Sequence, residues 1–341
     1  MTLRARSLGV VVVAGTAATV LVAAASLCLG AVDVPFSSVV NALTGLEPFG
    51  ARASERDLTV IHEMRLTRVL AGLCVGGALG GAGCMLQALL RNPLASPQAM
   101  SASNAAAFGA VGAIFLGLPY AATLGAGFVC AGVAVVLVLA FARTHEGVPT
   151  DSIVLSGLNM SLLFGALTGL VQYAARSDSQ LRDMVLWLLG GLWRVTWGPL
   201  AVAGPLTVVA LVAAFPLTRD LDLLAVGESD AARLGVHVKR SRVLLLVAAC
   251  ALTALAVGLA GVVAFVGLVV PHAARKLVGA SHRLAFPASV FLGAMLVVAA
   301  DAVARTIFVP SELPLGVVTS LIGVPVFFAL MRSRRRGALG R

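Results

Sequence analysis

Long apolar runs separated by short polar gaps set the pattern of this chain. A helix needs about 20 apolar residues to cross the hydrocarbon core of a bilayer. Runs of that kind fall at about 8–31, 65–90, 97–118, 121–142, 152–175, 198–217, 284–306 and 313–331. From Val243 to Val270 there is no charge; Gly258, Gly261 and Gly267 interrupt this run, and Pro271 and His272 lead it into Arg275 and Lys276. That is long for one helix and short for two. Splitting 243–278 into a full helix and a shorter, glycine-interrupted return gives ten spans. An even count puts both termini on one side, in agreement with Arg4 and Arg6 near the start and Arg332, Arg334, Arg335 and Arg336 near the end, which the positive-inside rule places in the cytoplasm. The first run, Leu8 to Gly30, lacks a small-residue cleavage site and reads as a span rather than a removed signal.

The second span organises the rest. In RLTRVLAGLCVGGALGGAGCMLQALLRNPLASP, residues 65–97, no charge falls between Arg68 and Arg91. Gly72, Gly76 and Gly80 repeat every fourth residue, with Gly77, Gly81 and Gly83 beside them. One helical stripe is therefore nearly bare, which lets neighbouring backbones approach in lipid. Gln87 near its end is a polar group that a lipid-facing helix rarely keeps. These features predict a central helix, with Gly76, Gly80, Gly83 and Gln87 as packing or pathway positions. The seventh span begins similarly, KRSRVLLL against RLTRVLAG, and both descend into a loop holding a proline, NPLASP and VVPHAAR. With five spans between them they run oppositely, so spans 2–5 and 7–10 read as an inverted repeat, a device of transporters.

Composition fits this reading and narrows it. With 59% apolar and 12% charged residues, the chain does not have the surface of a water-soluble globule. The net charge of +10 lies mostly in gaps between apolar runs, so membrane topology accounts for it and nucleic acid does not. Cys28, Cys74, Cys84, Cys130 and Cys250 sit inside apolar runs without metal or disulfide spacing. The five histidines are scattered, and His62 in HEMRL lacks the second histidine of a zinc-protease helix. There is no Gly-Lys-Ser/Thr phosphate loop. The expectation is a single polytopic membrane domain over 1–341 with no catalytic residues, no resident metal and no cofactor of its own.

One polar stretch breaks the pattern. Residues 218–242, TRDLDLLAVGESDAARLGVHVKRSR, place Leu221, Leu224 and Ala225 on one short helix, a break at Gly227, and Ala231, Ala232 and Leu234 on a second before Gly235. Two short amphipathic helices hinged by glycine make either a docking surface or a solvated loop.

Here a resemblance enters. LLAVGESDAARLGV is similar to the coupling segment (LxxLGxxxAxxLG) of FecCD-type permeases, the membrane subunits of ABC importers for iron-siderophores, cobalamin and haem. Three further stretches agree in order: residues 65–97 quoted above, GVVAFVGLVVPHAAR, and DAVAR followed by ELPLGVVTSLIGVPVFF. The match covers nearly everything after the first span. It implies an all-α membrane protein of about ten helices with the type II ABC importer permease fold, in the cell membrane. Its partners would be a second permease subunit, identical or a close paralogue, two cytoplasmic ATPase subunits that use ATP and Mg, and an extracytoplasmic substrate-binding protein. The implied cargo is an iron(III)-siderophore, with cobalamin or haem as alternatives. The alternative of another class, an ion-coupled secondary transporter, also uses inverted repeats but needs intramembrane charges, of which the spans contain almost none.

The resemblance also implies roles for single residues. Leu224, Gly227, Glu228, Ala231, Leu234 and Gly235 fall in the ATPase-coupling position; Arg65, Arg68 and Arg305 fall where the binding protein docks, unless they pair with Glu63 or Asp301. Asn92, Pro93 and Leu94, with Thr150 and Asp151, fall at the cytoplasmic gate. Asp151 stands where the family often has a small hydroxyl residue, and its carboxylate suits the cap of the fifth span better than a gate. A second departure follows NPLASP, where relatives read LLGVSxGA and this chain reads AMSASNAAAFGA, introducing Met100, Ser103 and Asn104.

Overall fold

The computed structural model describes residues 7–30, 32–46, 53–97, 101–143 and 149–339. The described residues are helical throughout, in the order α1 (Leu8–Cys28), α2 (Phe36–Thr44), α3 (Glu55–Thr59), a π-helical stretch Val60–Leu66 that runs on into α4 (Thr67–Leu89), α5 (Ala102–Phe115), α6 (Tyr120–Ala142), α7 (Thr150–Tyr173), α8 (Asp178–Leu188), α9 (Trp197–Ala214), α10 (Leu217–Val226), α11 (Glu228–Arg233), α12 (Val238–Ala260), α13 (Val266–Val278), α14 (His282–Ala304) and α15 (Leu315–Leu339). Seven of these are long and apolar enough to cross a membrane: α1, α4 with its N-terminal extension, α6, α7, α9, α12 and α14. The shorter α5 and α13 and the apolar first part of α15, Leu315–Ala329, complete the ten expected membrane helices.

The first structural fact about α4 is its burial. It is the most buried of the seven long helices, because its bare stripe lies against α14. A methyl group built on Gly76 would stand 2.1 Å from the carbonyl oxygen of Gly293, and one on Gly80 would stand 2.2 Å from that of Ser289. Gly83 is as tight against α13, 2.0 Å from the Gly267 oxygen. These backbones are in contact, which only glycine permits. Apolar burial supplies little drive between helices in lipid, so close backbone packing of this kind holds the bundle.

Two ends can be told apart from contacts. At one end Arg91, just after α4, reaches the Leu224 carbonyl of α10, Ser241 of α12 bonds Asp220, and His282 of α14 bonds Asp222. The last turn of α4 and the first turns of α12 and α14 therefore meet α10 there. At the other end Gly191 donates to the Ala260 carbonyl at the close of α12, and Leu315 at the start of α15 donates to Gly190. Thus α4 and α12 run in opposite directions.

The inverted repeat is visible in the elements. α4, α5, α6 and α7 contain 23, 14, 23 and 24 residues, and α12, α13, α14 and α15 contain 23, 13, 23 and 25. The residue that opens each short helix is left-handed in nearly the same conformation, Ser101 at φ 64° and ψ −24° and Phe265 at φ 65° and ψ −25°. Gly267 touches both Pro97 and the Leu79 carbonyl, near the middle of α4. One expectation fails in detail: VVPHAAR is not a loop. Pro271 lies inside α13, and the break is Gly261–Phe265.

Gly76→Val is expected to force α4 from α14 and cost about 1–3 kcal/mol, seen as a lower melting temperature of the detergent-purified protein. Gly132→Ala on α6, where an added methyl meets nothing within 4 Å, should leave it unchanged.

Candidate coupling face and transport machinery

The polar stretch of the sequence folds as two helices, α10 and α11, hinged at Gly227, whose backbone (φ 153°, ψ 151°) is one that side-chain-bearing residues rarely adopt. Its residues divide into two faces. Leu221, Leu224 and Ala231 are buried against the bundle, while Ala225, Val226, Ala232 and Leu234 face outward, with Val226 71% and Leu234 60% exposed. Leu224 and Ala231, expected at the coupling surface, instead hold the segment in place. Gly227, Glu228, Leu234 and Gly235 remain accessible, and Val226 joins them. The sequence pattern missed Val226 because it stands next to the glycine break, outside the helical period.

Several ties fix this pair of helices. The Arg91 guanidinium donates to the Leu224 carbonyl at 2.7 Å. Arg242 on α12 pairs with Glu228, and Ser241 donates to Asp220. On α14 the backbone N–H of His282 donates to Asp222 at 2.7 Å, its ring nitrogen lies 2.8 Å from the same oxygen, and the Ser281 hydroxyl donates to the other at 3.0 Å. Partial burial works to raise the Asp222 carboxyl, and these donors outweigh it and hold it below the usual carboxylate value.

Arg91 also belongs to the turn after α4, where its φ of 48° reverses the chain. In that turn the Asn92 side chain accepts from the Leu94 amide at 2.9 Å, and the Ala95 amide donates to the Asn92 carbonyl at 3.0 Å. Asn92 and Leu94 are exposed and Pro93 is partly so. Thr150 opens α7, and Asp151 follows it in the first turn, exposed. The expected side-chain cap is not formed: the capping position is Pro149, and no side-chain hydrogen bond closes the helix. The Asp151 charge in the first turn favours the N-terminus of α7. Met100 lies outside the described residues. Ser103 is buried, and Asn104 donates to the Ser161 carbonyl at 3.1 Å, tying α5 to α7.

Gln87 has a specific task. Pro271 lacks an N–H and its ring crowds the carbonyl four residues back, so the Gly267 carbonyl loses its helical donor. The Gln87 amide donates to the Leu268 carbonyl at 2.9 Å and approaches that of Gly267 at 3.4 Å, while Arg275 donates to its oxygen. Gln87 therefore substitutes for a broken backbone bond, deep in the bundle.

The three arginines expected to dock a binding protein are placed otherwise. Arg65 is 3% exposed and donates to the carbonyls of Leu27, Cys28 and Val32. Arg305 is 4% exposed, bonds the Ser26 carbonyl at 2.8 Å and its hydroxyl at 2.6 Å, and lies 3.2 Å from Asp301. Arg68 bridges Asp301 at 2.8 Å and Glu312 at 2.9 Å. The carbonyls at the end of α1 have no helical donors, and cations are favoured there. Arg65 and Arg305 satisfy them, so they are internal clamps and not surface contacts; Asp301 is the partner of two of the three, and Glu63 of none. Among the described residues no group of three or more His, Cys, Asp or Glu is placed to hold a metal ion.

Residues 18–333 match the FecCD transport family. The chain belongs to that family. As a FecCD permease it is a multi-pass membrane subunit of an ABC importer, a transport component and not an enzyme. It is 38% identical over 309 residues to a cobalamin import system permease protein of Halobacterium salinarum, covering 90% of this chain and 82% of that protein. Identity to the Fe(3+) dicitrate transport system permease protein FecD of Escherichia coli is 36%, over 90% and 93% of the two chains. The hemin transport system permease protein HmuU of Yersinia pestis is 34% identical over 94% and 95%. Among solved structures, an inward-facing putative metal-chelate type ABC transporter superposes with a TM-score of 0.83 at 29% identity, covering 94% of this permease and 98% of that chain. The ten-helix, all-α permease fold is thereby the fold of this chain.

Two variants separate the faces of the FecCD permease's hinge. Leu224→Ala should lower thermal stability by about 2–5 kcal/mol through the cavity it leaves. Val226→Asp should leave the melting temperature unchanged and reduce recovery of the cognate ATPase in a pull-down. Separately, Gln87→Leu should destabilise by about 1–3 kcal/mol, because buried acceptors lose their donor, and Gln87→Glu should not restore the melting temperature.

Proposed function

We propose that this permease imports an iron(III)-siderophore by alternating access, with cobalamin and haem as the competing cargoes. The observation that carries the mechanism is the outward apolar face of α10 and α11, joined to the turn after α4 through Arg91 and Leu224. An ATPase pressing on Ala225, Val226, Ala232 and Leu234 would move Leu224 and, through Arg91, the turn that holds Asn92, Pro93 and Leu94. That turn then serves as the cytoplasmic gate, with Thr150 and Asp151 at the start of α7 as its counterpart. The hinge end is cytoplasmic in this reading, as are both termini.

Two such subunits would enclose the path. α7 packs on α5 and α6, and α15 on α13 and α14, so each keeps an open side. On α7, Gly165 and Gly169 are spaced by four residues with nothing within 4 Å of a built methyl, a bare stripe suited to a second helix. A second permease subunit on these faces is the proposed partner, together with two ATPase subunits and an extracytoplasmic binding protein. The binding protein would meet the surface over the clamped end of α1, whose shape Arg65, Arg68 and Arg305 hold. The relatives' names attach to cobalamin, ferric dicitrate and hemin, all bulky chelates, which supports a wide path over a narrow ion channel.

The test is uptake in cells lacking other importers of this kind, expressing the permease with its ATPase and binding protein. Labelled ferric siderophore should accumulate in an ATP-dependent manner, well above labelled cobalamin and haem, and Val226→Asp should abolish it. Accumulation of cobalamin or haem alone would overturn the cargo assignment; uptake that survives loss of the ATPase would overturn the mechanism.

A further inference from the structure

Away from the hinge, α6, α9 and α12 enclose an open groove of about 420 Å³ in the half of the bundle opposite α10. Its wall is apolar side chain and glycine: Gly125 and Phe128 on α6, Gly198 and Val202 on α9, Leu255 and Gly258 on α12. Phe128 and Val202 are exposed, so the groove opens sideways to the lipid. Volumes of about 300–1,000 Å³ are typical of sites that hold a small molecule. The groove has no part in the hinge, the turn after α4 or the open faces of α7 and α15.

At its upper end the wall changes character. The groove adjoins, at Leu259 and at the neighbouring residues Ala121 and Tyr120, a notch lined by Trp187, Trp193 and Arg194. Trp187 is buried, while Tyr120 and Trp193 are partly exposed, as aromatic side chains at the interface between hydrocarbon and headgroups are. Arg194 pairs with Asp183 at 2.6 Å; both are partly exposed, and Asp183 lies one turn before Leu186 and Trp187 on the face of α8 that lines the notch. The mouth of an apolar groove thus carries one positive and one negative group side by side.

We propose that this groove holds one acyl chain of a zwitterionic phospholipid, with its phosphate on Arg194 and its amine on Asp183. The charge pair selects the headgroup. An anionic headgroup gains Arg194 but meets Asp183 as a like charge, and a sterol has no phosphate for Arg194 to bind. An amine-bearing zwitterionic headgroup matches both, while the chain below fills space that α6, α9 and α12 leave empty.

The structure supplies a clean way to close the groove. Gly125 and Gly198 line the groove, and methyl groups built on them meet nothing within 4 Å, so larger side chains there start into open space. The permease is reconstituted in vesicles of equal phosphatidylethanolamine and phosphatidylglycerol, re-extracted, stripped of loose lipid and weighed by native mass spectrometry. The wild-type chain should keep phosphatidylethanolamine in several-fold excess over phosphatidylglycerol. Gly125→Leu with Gly198→Leu should remove it at an unchanged melting temperature. Arg194→Gln should lower retention roughly tenfold, the size of one lost charge-assisted hydrogen bond, and Asp183→Asn should erase the preference for the amine-bearing lipid. Equal retention of the two lipids by the wild type, or retention indifferent to the leucines, would overturn the proposal.

Discussion

The contact of α4 with α14 is the constraint on which the remaining structure depends. Where the oxygen of Gly293 lies in the place a Gly76 methyl would take, and Ser289 does the same at Gly80, two helix backbones touch. Lipid tails are as apolar as leucine, so such a contact gains its stability from close dispersion packing rather than from escape from solvent. With α14 held on one side of α4 and α13 on another through Gly83, the core of the bundle has little slack. A rigid central helix of this sort moves as a body, which is how a push at one end can be felt at the other.

Irregular backbone is admitted only where something satisfies it. α5 and α13 are each opened by a left-handed residue, α13 starts near the middle of α4, and α13 contains a proline. In hydrocarbon the carbonyl freed by Pro271 would be costly. Gln87 supplies the missing donor from the facing helix, and Arg275 orients it. The same logic applies at the end of α1, where orphaned carbonyls are met by Arg65 and Arg305 instead of water. Polar side chains within this bundle are mostly repairs to backbone. The Arg68 bridge to Asp301 and Glu312 extends that network across α4, α14 and the connection before α15. Breaking a buried pair strands a charge, which is why such networks fix one arrangement of helices rather than adding much stability.

The hinge segment follows a different rule, since it meets water on one side. Apolar residues turned inward anchor it; those turned outward are left over for a partner. Its ties to α4, α12 and α14 come through Arg91, Arg242 and His282, three residues at the ends of membrane helices. The hinge is therefore tied to the first turns of α12 and α14 and to the turn that closes α4.

Much of this was written in the pattern of residues. Long uncharged runs had to become membrane helices, because backbone in lipid must bond to itself; glycine every fourth residue had to mark a close crossing; and Gly227 had to break the polar stretch. The split of 243–278 followed from the even number of spans that basic residues near both ends require, and Gly261 is where it falls. What the sequence could not hold was direction: whether Leu224 faces the bundle or a partner, whether Arg65 reaches water or the end of α1, whether VVPHAAR bends as a loop or continues as helix. Periodicity says which residues share a face, and only the packed neighbours say what that face meets. The arginines show the reason plainly. Their charge, in a region where the topology disfavours it, marked them as special, but the carbonyls that claim Arg65 lie more than thirty residues away in the chain, and no local pattern records a bond of that length.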